Sequence, residues 1–374
     1  MRTRAVALAT ILSLCLFVPV FSASARRACA GEPAAATPGE KERALESSAG
    51  LPDRDVPFLA TILSASNFGA AGPSAGPAAA GPVPPEIDRL AARLRPALGD
   101  RTDPRRVVAA LNRFVFEEEG FTYDPVPGNT WNYLPDRVLA RRRGNCLGLT
   151  VLYLALAERL GLPLRAVYLP SHCFLRYEDR GVRINIETAE RGAAWDDARY
   201  ARVFGVTDDR PYLRSLGTKE TIGVFLKSLG AARSRAGREV EALALYRAAS
   251  LYFPGLPDVA YNAGISYQKM GRVDEAVEEY RRALALDPAL AAARDNLGVA
   301  LARQGRYGEA LAEARRAVTL DPRNVVSRGN LAATFCACGM TTEGIREYEK
   351  VLALDPGNTR ALSGLSKARR RLTP

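Results

Sequence analysis

One histidine, His172, and six cysteines stand in a chain of 374 residues. Any imidazole chemistry passes through that histidine, and a multi-histidine metal centre is excluded. The residues imply neither a cofactor nor a metal site. Between Gly144 and Gly192 the chain carries a thiol, the imidazole and a carboxylate in order: Cys146, His172 and Glu187. Cys146 stands where a polar loop meets the apolar run CLGLTVLYLALAERLG. A thiol at a helix N-terminus feels the positive end of the dipole, which favours the attacking thiolate. His172 opens a strand pattern, where it can take the thiol proton or pair with the thiolate as imidazolium. Glu187, on the next strand, can hold the ring in the useful tautomer, and Asn185 on the same face can orient it instead. This is the equipment of nucleophilic acyl transfer. Cys173 adjoins His172, but strand alternation aims it at the opposite face, as a core residue. Arg141, Arg142 and Arg143 precede the nucleophile loop, either as a solvated helix end or as a lure for an acidic substrate.

These side chains need elements to position them. EIDRLAARLRPAL and DPRRVVAALNRFVFEEEG have amphipathic helical spacing, the second with Asp103 as N-cap and Pro104 in its first turn. After the loop FTYDPVPGNTWNYLPD, the helix beginning at Cys146 is apolar on nearly every side and so is buried. LRAVYLP, HCFLRYED and VRINIET follow as strands, the last two joined through Asp179-Arg180-Gly181 as a hairpin. Helices followed by an antiparallel sheet indicate an α+β fold.

This pattern resembles the transglutaminase-like superfamily of papain-type cysteine enzymes over about residues 105–205. The marks are a Cys at the head of a buried helix, the run LTVLYLALAERLGLP, a strand reaching Pro-Ser-His and a second strand with an acid. The bacterial branch with a PxH motif and trailing tetratricopeptide repeats is the nearest likeness. The resemblance implies a triad with Cys146 as nucleophile, His172 as general base and acid, and Glu187 as orienting group. It also implies an oxyanion hole built from the Cys146 backbone N–H and an upstream donor, for which Trp131, Asn132 and Tyr133 stand in position. The acid is commonly Asp in that family, so Glu187 needs a longer reach. No calcium-loop signature is present.

From Gly223 the chain repeats with a period of 34. Gly230, Gly264 and Gly298 share one position, with Ala332 in the last copy. Ala242, Ala276 and Ala310 share another, with Gly344. Tyr246, Tyr280, Ala314 and Tyr348 occupy a third, and Pro254, Pro288, Pro322 and Pro356 a fourth. These positions resemble the tetratricopeptide repeat, with copies at 223–256, 257–290, 291–324 and 325–358 and a capping helix at 359–372. The resemblance implies a solenoid whose concave face includes Tyr261, Gln268, Lys269, Asp295, Val299 and Arg303 and takes a protein or peptide. An array serving only as a structural cap is the alternative.

Residues 1–25 have the basic start, apolar run and Ala-Ser-Ala site of a signal peptide, which predicts an exported, periplasmic or secreted protein. The alternative is an uncleaved anchor, and membrane contact is expected only then. The apolar run is shorter than the ~20 residues a spanning helix needs. Residues 26–82, rich in Ala, Gly, Pro and Ser, read as a low-complexity linker, with the apolar run VPFLATIL as a segment able to dock. Hydrophobic content of 47% and charged content of 25% exclude wholesale disorder. The net charge of +11 is spread along the chain, so no nucleic-acid partner is expected.

The sequence thus predicts an exported α+β transglutaminase-like (papain-like cysteine) domain at 83–215 and an all-α tetratricopeptide solenoid at 220–374. The expected activity is cysteine-dependent acyl transfer or peptide hydrolysis on peptide or amide substrates. The alternative function is a non-catalytic scaffold that mediates protein–protein interactions.

Overall fold

In a computed structural model, residues 38–66, 83–126, 132–206 and 212–372 are described. The signal-like segment, Cys15, Cys29 and Trp131 lie outside them. The elements run α1 (Pro38–Ala49), α2 (Phe58–Ser66), α3 (Val83–Leu94), α4 (Pro104–Arg113), β1 (Thr122–Tyr123), α5 (Pro135–Arg141), β2 (Arg143–Gly144) and α6 (Cys146–Leu160). Then come β3 (Leu164–Leu169), β4 (His172–Asp179), β5 (Val182–Ile186) and α7 (Asp197–Phe204). The helical remainder comprises α8 (Thr218–Arg235), α9 (Glu239–Tyr252), α10 (Pro257–Lys269), α11 (Val273–Leu286), α12 (Ala291–Arg303), α13 (Tyr307–Leu320), α14 (Val325–Ala337), α15 (Thr341–Leu354) and α16 (Thr359–Arg370).

β3, β4 and β5 form an antiparallel sheet in that order, with Leu169 opposite His172 and Arg176 opposite Asn185. Alternation gives β4 two working faces. His172, Phe174 and Arg176 face one way, where Phe174 stacks on Tyr200 of α7 at 3.8 Å between ring centroids. Cys173, Leu175 and Tyr177 face the other way, and Cys173 meets Thr150 of α6. α6 is buried almost all round, as its unbroken apolar sequence requires. Asn145 caps it through the Gly148 N–H at 2.9 Å.

Residues 38–66 depart from the expected linker. They form α1 and α2, whose Leu45, Phe58, Ile62 and Ala65 join the core shared with Val151, Phe174 and Phe225. The apolar run does dock: Glu158 of α6 accepts from the backbone N–H of Phe58 at 2.9 Å. The Asp53 carboxylate likewise accepts from the first turn of α8, at Lys219 N–H, 2.8 Å away. Composition hides this because Ala and Pro dominate the flanks, while a few apolar residues supply about 1.5–3 kcal/mol each on burial.

By compactness the chain divides after Pro288, into a unit from Ala36 to Pro288 and another containing Ala289–Pro374. The reason lies in α8, whose Phe225, Leu226 and Leu229 are fully buried in one core with Tyr133, Leu169 and Cys173. The first helix pairs are therefore continuous with the α+β domain. In the second unit, α12 to α15 form two further pairs, followed by α16. The helix boundaries follow the 34-residue period. Where a repeat carries both Gly and Tyr, the fit is tight: a Cβ on Gly264 would sit 2.6 Å from the Tyr280 ring. In the third repeat Ala314 replaces the aromatic, and a Cβ on Gly298 meets nothing closer than the Ala310 carbonyl at 3.3 Å.

Candidate active site

Three elements bring Cys146, His172 and Glu187 together. Cys146 is the first residue of α6, His172 the first of β4, and Glu187 directly follows β5. Beyond the strand end, Glu187 bridges to Ala193 and caps a short 3₁₀ turn, its Oε1 accepting the Ala189 N–H at 2.8 Å. Its Oε2 lies 2.8 Å from His172 Nε2 and accepts the Tyr200 hydroxyl at 3.0 Å. A carboxylate buried to 2% exposure is thus met by three donors when the ring carries its Nε2 proton. With Nε2 engaged, Nδ1 is the nitrogen left for sulfur, and His172 and Cys146 hydrogen-bond through their side chains. Phe204 stacks on the imidazole at 4.7 Å and 7°, which fixes the ring plane.

The electrostatics follow from these contacts. The Cys146 thiol is held well below its usual range: Cys173 and His172 hydrogen-bond its sulfur, and together they outweigh burial. The helix start adds the same sign. For His172, burial alone favours the neutral ring, but hydrogen bonds and charge from Cys146 and Glu187 outweigh it and raise its pKa to about 10. Both shifts favour the thiolate–imidazolium form of the pair.

Asn185 does not orient the ring. Its Oδ1 accepts from Arg176 Nε at 2.7 Å, and its Nδ2 donates to the Trp195 carbonyl and to Asp197 Oδ1. Arg176, fully buried, also donates to Asp197 Oδ1 at 2.6 Å. Asn185 and Arg176 therefore anchor the first turn of α7, the helix that carries Tyr200. Tyr200 and Arg176 were missed by sequence reasoning; an aromatic at helical spacing beyond an acidic strand end was the available signal.

Cys173 differs from expectation in one respect. It is buried core at 4% exposure, yet its sulfur hydrogen-bonds Cys146. Cys146 lies at the starting end of β4, where groups from both faces of the strand reach its sulfur, so alternation does not separate them.

Of the oxyanion candidates, Trp131 lies outside the described residues. Tyr133 is a packing residue: its ring meets Phe225 edge-on at 6.1 Å and its hydroxyl is directed to the Ser228 carbonyl on α8. Asn132 is fully buried, and its carbonyl accepts the Asn145 N–H at 2.8 Å. Its Oδ1 accepts from Arg141, while its Nδ2 has no partner among the described residues. The Cys146 N–H, in the first turn, has no acceptor within its own helix. The close approach of this segment to α6 depends on Gly148, where a Cβ would sit 2.1 Å from the Asn132 carbonyl oxygen.

The arginine run is committed to neighbours rather than to a substrate. Arg141 and Arg143 each lie 3.7 Å from Asp124, and Arg142 pairs with Glu86 and Glu119. Cys146 is half-buried. A cavity of about 700 Å³ opens elsewhere, at the β5 edge, lined by Arg105, Asn112, Arg183, Asn185, Trp195 and Asp197 among others.

In the repeats, the expected groove residues divide. Asp295 is buried and accepts from Ser327 Oγ at 2.5 Å, tying α12 to α14. Gln268 accepts from Tyr280, and Lys269 pairs with Glu239 and Ser234. These three hold helices together because polar groups between packed helices must be satisfied. Tyr261 and Val299 are half-buried, and Arg303 is exposed.

Residues 83–205 match the family model of the transglutaminase-like superfamily, and residues 261–325 match that of the tetratricopeptide repeat. Among curated proteins, a UPF0162 protein of Xylella fastidiosa (strain Temecula1 / ATCC 700964) and one of strain 9a5c are each 36% identical over 75 residues. The match covers 18% of this chain and 25% of each relative, so the chain spans a quarter of the length of the curated relatives it matches. Similar solved structures include YrrB, described as a TPR protein with an unusual peptide-binding site: 21% identity, 40% of this chain, 77% of that one, TM-score 0.36. MamA is 22% identical over 38% of this chain and 84% of its own, with TM-score 0.36. The first TPR of Spaghetti (RPAP3), bound to an HSP90 peptide, is 27% identical over 32% and 94%, with TM-score 0.31. Taken with the fold, the family matches give a transglutaminase-like domain at residues 83–205 and a tetratricopeptide repeat region at residues 261–325.

Proposed function

We propose that the chain is a cysteine-dependent acyl-transfer enzyme acting on peptide or amide carbonyls of a protein brought to it by its repeats, and that it works after export. The observation that carries this reading is the bonded series Glu187–His172–Cys146, with the carboxylate filled by donors and the sulfur at the half-buried end. In the reaction, the Cys146 thiolate attacks the carbonyl carbon and the oxygen takes up negative charge. The Cys146 N–H and the Asn132 side-chain N–H are the donors best suited to that oxygen. Each such donor is worth about 10²–10³ in turnover. As the tetrahedral adduct collapses, the C–N bond breaks and His172 gives its Nδ1 proton to the leaving amine. A second nucleophile, water or an amine, then loses its proton to His172 and displaces the thiolate from the thioester. Glu187 keeps the ring turned so that one nitrogen serves both transfers.

The test is labelling of the full chain with a peptide bearing an acyl-reactive electrophile at neutral pH. Labelling of the wild type at Cys146, abolished in Cys146→Ala, supports the assignment. Equal labelling in Cys146→Ala, or none in the wild type, refutes it. Trapping of an acyl thioester from an amide substrate separates turnover from a binding scaffold that merely retains a reactive thiol.

A further inference from the structure

The fold brings two thiols to one point, one of them on a half-buried residue and the other on a buried one. Cys146 is half-buried at the head of α6, and Cys173 is 4% exposed on β4. Each thiol shifts the ionisation of the other, Cys146 downward and Cys173 upward, as two neighbouring sulfurs do. Thr150 lies one turn along α6 from Cys146, on the same helix face, and its Oγ1 is 3.7 Å from the Cys173 sulfur, which places that sulfur over the first turns of the helix. Both residues are free thiols. The acyl-transfer scheme uses Cys146 alone, and a serine or alanine would fill the place of Cys173 as small core.

We propose that Cys146 and Cys173 form a reversible oxidation site, in which a hydroperoxide converts Cys146 to a sulfenic acid and Cys173 closes it to a disulfide. The proposal rests on the reading of Cys146 as the reactive thiolate. In the first step the thiolate attacks the distal oxygen of the hydroperoxide. The O–O bond breaks, Cys146 becomes S–OH, and the departing alkoxide takes the imidazolium proton to leave as an alcohol, or as water from hydrogen peroxide. In the second step the Cys173 sulfur attacks the sulfenic sulfur, the S–O bond breaks, and hydroxide leaves with the Cys173 proton as water. The two thiols lose two electrons in all and the peroxide gains them.

The order of events follows from exposure and charge. Cys146 is the more exposed of the two residues and its thiol is the one held low, so it is oxidised first. Cys173 is kept protonated by its hydrogen bond to Cys146 and by burial, and it waits as the resolving thiol. A disulfide removes the nucleophile while leaving it recoverable. Without a resolving partner, sulfenic acid goes on to sulfinic acid, which reductants do not reverse. The pair thereby protects the thiol that chemistry exposes. Cys336 and Cys338 serve as internal comparisons, because the Cys338 sulfur is spent on the Tyr307 carbonyl at 3.6 Å and no sulfur contact joins the two.

The experiment treats the reduced full chain with a modest excess of hydrogen peroxide, blocks remaining thiols, and maps peptides without reduction. The expected result is a cross-linked peptide containing Cys146 and Cys173, lighter by two hydrogens, together with loss of probe labelling that dithiothreitol restores. In Cys173→Ser, the Cys146 peptide should gain two oxygens, and the labelling recovered by dithiothreitol should fall roughly tenfold. Wild-type Cys146 passing to sulfinic acid with no cross-linked peptide overturns the proposal, as does equal recovery in Cys173→Ser. If that variant does not fold, the wild-type map alone decides. Fast labelling at neutral pH without the cross-link sinks only this proposal, whereas a cross-link without any acyl thioester sinks only the enzymatic reading.

Discussion

Replacing Glu187 by Gln keeps the shape of the side chain and removes its charge, and the only imidazole of the chain reports the result directly. In the wild type, hydrogen bonds and charge from Cys146 and Glu187 outweigh burial and hold His172 at a pKa of about 10. A hydrogen bond to a charged group contributes about 1.5–3 kcal/mol, and one pKa unit corresponds to about 1.36 kcal/mol. Loss of the carboxylate should therefore lower the His172 pKa by about one to two units. The sign is fixed: Glu187 favours the protonated ring, so without it the proton leaves at lower pH. The thiolate then loses part of its counter-charge, and the Cys146 pKa rises. Because His172 stands alone, its ring protons can be followed by NMR without assignment. The wild-type ring should stay protonated through pH 8, and the variant ring should titrate at about pH 8–9, one to two units below the wild type. Alkylation gives the second readout. An ordinary thiol of pKa ~8.5 is about 0.3% ionised at pH 6. Cys146, whose thiol is held well below that range, should be more ionised there and react faster than that reference, once the lower nucleophilicity of an acidic thiol is allowed for. In Glu187→Gln this advantage should shrink roughly tenfold. A wild-type ring that titrates near pH 6.5, or alkylation that falls tenfold per pH unit from 8 to 6, would refute the ion pair.

Tyr200→Phe removes one hydrogen bond to Glu187 but keeps the ring on Phe174, so unfolding free energy should fall by only about 1 kcal/mol. In the same variant the His172 titration should shift in the direction seen for Glu187→Gln, a change that a purely packing role for Tyr200 would not produce. Gly148→Ala must push the Asn132 segment away from α6, and overpacking of this kind costs about 1–3 kcal/mol. Its probe labelling should drop even where circular dichroism stays native. Gly264→Ala should destabilise the chain in urea unfolding because the Tyr280 ring fills its Cβ position. Gly298→Ala should cost less than Gly264→Ala, since its Cβ would meet nothing closer than the Ala310 carbonyl at 3.3 Å. A chain beginning at residue 83 loses Leu45, Phe58 and Ile62 from the core, each about 1.5–3 kcal/mol, and should aggregate or expose hydrophobic dye sites rather than behave as an intact domain.

The repeats were legible because their constraint is local and recurs: a small residue facing an aromatic, and a proline after each second helix, return every 34 residues. The helix, strand and hairpin of the α+β domain were legible for a similar reason, since period and turn chemistry act within a few residues. The linker was misread at 38–66 because its order comes from distant partners. Glu158 receives the start of α2 and Asp53 receives the start of α8, and neither bond leaves a mark in local composition.

The same distinction explains the site. Alternation sets Asn185 and Glu187 on one face, though Glu187 lies just past the end of β5, and it could not choose between them. The choice is made by Arg176, a buried charge across the sheet that engages Asn185 and binds it, with Asp197, to the start of α7. Once that amide is occupied, Glu187 is the group left for the imidazole, and α7 delivers Tyr200 to the same carboxylate oxygen that meets the ring. Cys173 marks the limit of alternation from the other side. The rule separates neighbours across a sheet, yet at the end of a strand a helix N-terminus can receive both, and there His172 and Cys173 meet one sulfur. Should Arg176→Met leave the His172 titration unmoved while freeing Asn185, the orienting role would belong to Glu187 and Tyr200 alone. A shift toward lower pKa would show that the buried arginine sets the site through α7.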